Sequence, residues 1–84
     1  MLIKYFSIYD KQTMSYGQLF PAQTMGAAER SFKELVNNPD SQQSKYPDDF
    51  ALYLILDFDD ESAIVITNFQ PPMKVVEAIQ LKTI

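Results

Sequence analysis

The longest apolar run, Phe50 to Leu56, is bracketed by Asp48 and Asp49 before it and by Asp57, Asp59 and Asp60 after it. It is too short to span a bilayer. With period two, Leu52, Leu54, Leu56 and Phe58 point one way, and Tyr53, Ile55 and Asp57 point the other. That pattern predicts a strand with one fully apolar face and one mixed, aromatic face. Asp59 to Ser62 supplies a turn. Ala63 to Phe69 is β-branched and predicts a returning strand, so the two read as a hairpin. The Leu face needs a cover, which the rest of the chain must provide.

Leu2 to Tyr9 predicts another strand, with Leu2, Lys4, Phe6 and Ile8 on one face and Ile3, Tyr5, Ser7 and Tyr9 on the other. Asp10 to Ser15 is polar and suits a reversal. Tyr16 to Phe20 predicts a short strand that Pro21 either ends or confines to a sheet edge, because proline cannot donate to the ladder. Thr24 is a good N-cap for a helix over Met25 to Val36, whose stripe is Met25, Ala28, Phe32, Leu35 and Val36. Asn37, Asn38 and Pro39 stop it, with asparagine suited to a left-handed cap. Residues 39–47 are polar and read as a surface loop. Pro71 and Pro72 close the hairpin's second strand. Met73, Val76 and Ile79 have helical spacing, so a short terminal helix is expected, although Val75-Val76 pulls toward strand. The order β-β-α-β-β predicts an α+β fold of two layers, a small antiparallel sheet with one main helix on one face. Residues 1–84 fit a single domain.

Charge and residue type narrow the functions open to such a chain. Lys and Arg number 7 and Asp and Glu 11, for a net charge of −4. Residues 1–45 carry five cations against four anions, whereas residues 46–84 carry two against seven. A polyanion would therefore be met by the first half, and tight non-specific nucleic-acid binding is disfavoured. With no His and no Cys, the commonest general base and the best nucleophile are missing, so an enzyme is not expected. No cofactor is expected either. A calcium loop counted from Asp57 fails at Ser62, where glycine belongs, and at Asn68, where glutamate belongs, so no metal site is expected. Met1 to Tyr5 lacks the pattern of a secretory leader, and no membrane association is expected.

If the strand phases hold, the sheet face away from the helix shows Tyr5, Tyr9, Tyr53 and Ile55. Tyr5, Tyr9 and Tyr53 would then form a stacking platform for single-stranded bases, with Lys4, Lys11, Arg30 and Lys33 as phosphate contacts. The plainer alternative is that these tyrosines are half-buried sheet residues or pack against a second copy, and the acidic balance weighs toward it.

A set of dispersed motifs bears on this choice: Tyr5 to Asp10, Ala27 to Phe32, Val36 to Pro39, Ser44 to Phe50, Leu52-Tyr53 and Phe58 to Asp60. In order and spacing they resemble the small nonstructural protein of gokushovirus-type microviruses, which are single-stranded DNA bacteriophages. The resemblance spans roughly residues 4 to 62. Leu56 replaces the family's usual glycine after the Leu-Tyr pair, and the glycine expected at the hairpin turn is absent around Ser62-Ala63. The resemblance implies a DNA-binding accessory protein of the host bacterial cytoplasm, active in single-stranded genome synthesis and packaging. It supplies no catalytic residues. The alternative is a homodimeric interaction module that contacts phage or host replication proteins.

Overall fold

Two long strands, β1 (Leu2–Asp10) and β4 (Phe50–Asp59), pair antiparallel and form the spine of the sheet. The structure, a computed structural model, describes residues 1–67 and 71–83. Two short strands, β2 (Ser15–Tyr16) and β3 (Phe20–Ala22), lie along the outer edge of β1. Another two, β5 (Val65–Ile66) and β6 (Met73–Glu77), lie along the outer edge of β4. All five pairings are antiparallel. Helix α1 (Met25–Val36) crosses one face, joined by the single-turn helices α2 (Gln42–Lys45) and α3 (Ala78–Leu81). The result is the expected two-layer α+β arrangement.

Helix α1 forms where its cap and stripe place it. The Thr24 hydroxyl accepts a hydrogen bond from the Ala27 amide at 3.1 Å, satisfying one of the orphan donors of the first turn. Ala28, Phe32 and Val36 are buried against Phe6, Phe50, Leu52, Leu54 and Ala78, with Met25 and Leu35 packed at the margin. Burying each large apolar side chain contributes about 1.5–3 kcal/mol, so this cluster is the main source of stability.

The far end of β4 departs from simple alternation. Phe6 pairs with Leu54, but Tyr5 pairs with Leu56, which leaves Ile55 as the extra residue of a β-bulge. One inserted residue turns the strand over. Leu52 and Leu54 face the helix as expected, whereas Leu56 and Phe58 cross to the other face with Tyr5 and Ile3. The Tyr5 and Phe58 rings meet edge-on there, with centroids 6.3 Å apart. Asp57 comes round to the helix side beside Lys4, in a loose ion pair at 3.8 Å. The buried Asp57 Oδ1 accepts no hydrogen bond from the described residues.

Other expectations are corrected more locally. The strand expected over Tyr16–Phe20 is split into β2 and β3 around Gly17, whose amide donates to Ile8 O at 2.9 Å. Pro21 lies inside β3, at the sheet edge. The stretch read as a loop contains α2, capped by the Ser41 hydroxyl at 3.0 Å from the Ser44 amide, and a 3-10 turn at Pro47–Asp49. Residues 73–77 are a strand and only 78–81 a helix, so the β-branched Val75-Val76 prevails over the helical spacing. Asn37 sits at φ −99°, outside the left-handed region. It stops the helix with its side chain instead. Its amide Nδ2 donates to Lys33 O and Leu81 O, and its Oδ1 accepts from the Thr83 amide and hydroxyl, all at 3.0 Å. The hairpin forms through β5, and the part of its expected return strand at Asn68 and Phe69 lies outside the described residues.

The turn between β4 and β5 is built on Asp59. Its carboxylate accepts from the Glu61 amide and the Ser62 hydroxyl, each at 3.0 Å, and these bonds hold it below the usual aspartate range. Ala63 completes the turn at φ 63°, a left-handed conformation that favours glycine, and it lies in the Ser62-Ala63 stretch around which the family resemblance implies one.

Candidate functional site

Antiparallel partners share a face, so the register determines which side chains meet on the side away from α1. Tyr9 pairs with Tyr16 and with Ala51, and Ser7 pairs with Tyr53. Three rings are thereby brought together: Tyr9 and Tyr16 with centroids 4.7 Å apart, Tyr16 and Tyr53 at 5.4 Å, and Tyr9 and Tyr53 at 5.8 Å. These are tilted and edge-to-face contacts, the arrangement that the aromatic quadrupole favours. Small residues beneath them make room: Ser7 and Ala51 are buried, and the Ser7 hydroxyl donates to Gly17 O at 2.9 Å. None of the described helices contributes to the ring cluster, and Tyr16 is 44% exposed at its outer side.

The charged rim comes from β6 and from the loop after β1. Across the sheet, Lys74 pairs with Tyr53 and Glu77 with Ala51. The Glu77 carboxylate accepts from Lys11 Nζ at 2.7 Å on one oxygen and from Lys74 Nζ at 2.8 Å on the other. Lys11 Nζ also donates to Asp48 O at 3.2 Å. The hydrogen bonds from Lys11 and then Lys74 hold the Glu77 carboxyl below the usual glutamate range, and the bond to Glu77 raises the Lys74 ammonium. Two cations share one anion, which leaves the rim with one net positive charge.

The sequence-predicted candidates are thus dispersed. Tyr9 and Tyr53 join in the cluster with Lys11 at its rim. Tyr5 shares their face but lies beyond the bulge against Phe58. Lys4 is on the opposite face with Asp57. Arg30 and Lys33 are exposed on α1, in the other layer. Tyr16, Lys74 and Glu77 complete the cluster and are not among the sequence-predicted candidates. A tight reversal after β1 is enough to bring Tyr16 opposite Tyr9. Lys74 and Glu77 were hidden because their segment reads as a helix, where they are merely an i, i+3 pair.

Farther along this same face, Ile3, Tyr5, Leu56 and Phe58 of the bulged end continue the apolar surface toward Val65, which is 52% exposed. The site therefore has two ends on one sheet face, a polar-ringed end with lysines and an aliphatic-aromatic end.

Comparison with known proteins bears on what this surface belongs to. The family model described as Phage ORF5 protein matches residues 3–81. Protein ORF5 of Chlamydia phage 1 is 42% identical over 59 residues, an alignment covering 66% of this chain and 62% of that protein. No solved structure matches the chain. Among the described residues no helix is long and apolar enough to cross a membrane. The family match runs through nearly every element from β1 to α3, and the chain accordingly belongs to the Phage ORF5 proteins, the small nonstructural proteins of gokushovirus-type microviruses that its motifs resemble.

Proposed function

We propose that this phage accessory protein binds single-stranded DNA weakly through the Tyr9–Tyr16–Tyr53 cluster, in support of viral genome replication or packaging in the host cytoplasm. The observation that carries the reading is the meeting of three tyrosine rings, within 4.7–5.8 Å of one another, on a sheet face away from the helices and beside two lysines. Aromatic faces stack on any base, and stacking is worth about 1–3 kcal/mol per base. The cluster is small and has few cations beside it, so the affinity is low and the salt dependence shallow. On this reading the chain is a binding module and not an enzyme. The test is fluorescence anisotropy of a labelled oligothymidine titrated at low salt and again near physiological salt. Binding at low salt that Tyr53→Ala weakens at least fivefold supports the reading. No binding at low salt overturns it.

A second reading, self-association, is favoured by the bulged end of the same face. Leu56, Phe58 and Val65 form an apolar surface of the kind that small domains bring to a partner. Light scattering over a concentration series separates the two readings. A stable dimer blind to oligonucleotide favours self-association, and a monomer that binds oligonucleotide favours the first.

A further inference from the structure

We propose that Lys11, Lys74 and Glu77 form a phosphate clamp at the end of the tyrosine cluster, in which Glu77 occupies the lysines until a DNA phosphodiester competes for them. The inference rests on the single-stranded DNA reading and assigns that site its phosphate contacts. The cluster is brought together from two stretches distant in sequence: the loop after β1, which holds Lys11, and strand β6, which holds both Lys74 and Glu77. Each ammonium donates to a different oxygen of the one carboxylate, at 2.7 and 2.8 Å. The carboxylate is tucked in, with its side chain 18% exposed, while Lys11 and Lys74 remain 43% and 51% exposed. An incoming anion therefore meets the ammoniums first.

The chemistry of the two anions explains why the same lysines serve both. An ammonium has three donors and no preferred plane, so it can share itself between a carboxylate and a phosphate oxygen. Lys74 stands directly across from Tyr53 in the strand register. A base stacked on that ring brings its own backbone phosphate within reach of the lysine. Glu77 then has two effects. It holds the two heads at one place, and its charge cancels one of theirs. Affinity for single strands is governed by the cations that reach phosphates, so the cancellation is the larger effect and makes Glu77 a built-in competitor. The acidic chain binds weakly partly because its best-placed lysines are already engaged.

The experiment uses the intact chain and a fluorescein-labelled oligothymidine, read by anisotropy from low to near-physiological salt. Glu77→Gln keeps an oxygen acceptor and nearly the same shape while removing the charge. It is expected to bind several-fold more tightly at low salt, with log K against log salt steeper by about 0.7, the increment for one further phosphate on a single strand. Lys74→Gln is expected to weaken binding and to flatten the slope by a similar amount. In the Glu77→Gln background, Lys74→Gln should cost more than in the parent, because the lysine it removes has been freed. A purely structural role for Glu77 would not produce that coupling. If parent and Glu77→Gln bind alike with equal slopes while Tyr53→Ala still weakens binding, the clamp is overturned and the stacking site stands. If the parent fails to bind at all, both are overturned. Should Glu77→Gln melt early, Lys11→Gln and Lys74→Gln in the native Glu77 background carry the test: slopes unchanged by either reject the clamp.

Discussion

The bulge at Ile55 makes a sharp prediction about two leucines that the bare sequence treats as equivalent. Leu54 is 1% exposed and packs among Phe6, Leu52 and the α1 residues. Leu56, two residues on, lies across the sheet from Tyr5 on the face away from α1 and is only half-buried. Leu54→Ala removes buried methyl groups and leaves a cavity sealed by the helix, which costs about 2–5 kcal/mol. Leu56→Ala removes the same atoms where water reaches the site, so the cavity contribution vanishes and the loss is about 1 kcal/mol of transfer free energy. A chain of this length has a total stability on the order of 4–13 kcal/mol. A loss of about 3 kcal/mol lowers the Tm of such a domain by roughly 12–24 °C, against 4–8 °C for about 1 kcal/mol.

The assay is urea unfolding at 25 °C followed by far-UV circular dichroism, with the slope m compared among parent and variants. An unchanged m assigns the shift to stability and not to a changed unfolded state. Each melt is run at two protein concentrations, because a dimer through Leu56 would make its apparent stability concentration-dependent. Equal losses at Leu54 and Leu56 would mean that both leucines face the helix and that β4 has no bulge. The placement of Phe58 and Asp57 would be refuted with it.

Three further outcomes follow from single side chains. Ala63→Gly should raise stability by about 0.5–1 kcal/mol, because the left-handed conformation at φ 63° costs an L-residue about 1–2 kcal/mol and glycine's larger unfolded-state entropy offsets part of the gain; chemical denaturation reads it directly. Asn37→Ala should cost about 1–3 kcal/mol by removing the bonds to Lys33, Leu81 and Thr83, and amide exchange at Thr83 should accelerate before the sheet is affected. The Glu77 carboxyl is held low by Lys11 and Lys74, so its stabilisation is complete above the usual glutamate range and disappears as pH falls through its lowered value. Melts of parent and Glu77→Gln should therefore differ at neutral pH and converge in acid.

The elements that could be read from the residues are those in which local preference and burial agree. Thr24 has no better use than as a cap, and the spacing of Ala28, Phe32 and Val36 admits one packing face. Pro21 announces a sheet edge wherever the strand ends are drawn. The bulge could not be read, because Phe50 to Leu56 is apolar at every position, and a run without polar alternation carries no mark of a slip. β6 was obscured for the opposite reason: Met73, Val76 and Ile79 satisfy helical spacing, and only pairing with β4 decides the first five residues for strand. The candidate site inherited both difficulties. Tyr9 and Tyr53 could be placed by alternation alone, but Tyr16, Lys74 and Glu77 reach them only through long-range register.

The bulge also explains how one strand serves two purposes. Without it, β4 would send Leu52, Leu54, Leu56 and Phe58 to the helix, and a helix of 12 residues spans only about 18 Å. A ten-residue strand extends about 33 Å, so its far end would project an apolar face past the helix with nothing above it. Turning the strand over at Ile55 resolves that mismatch. The helix-side face at the far end receives Asp57 and Lys4, which tolerate the helix margin better than leucine and phenylalanine would. Leu56 and Phe58 go to the other face, where Tyr5 meets Phe58. Asp57 Oδ1, paired only loosely with Lys4 and without a hydrogen bond from the described residues, is the local cost of this solution. The length mismatch between one short helix and one long strand is thus what places aromatic and aliphatic side chains side by side on the sheet face where both functional readings are located.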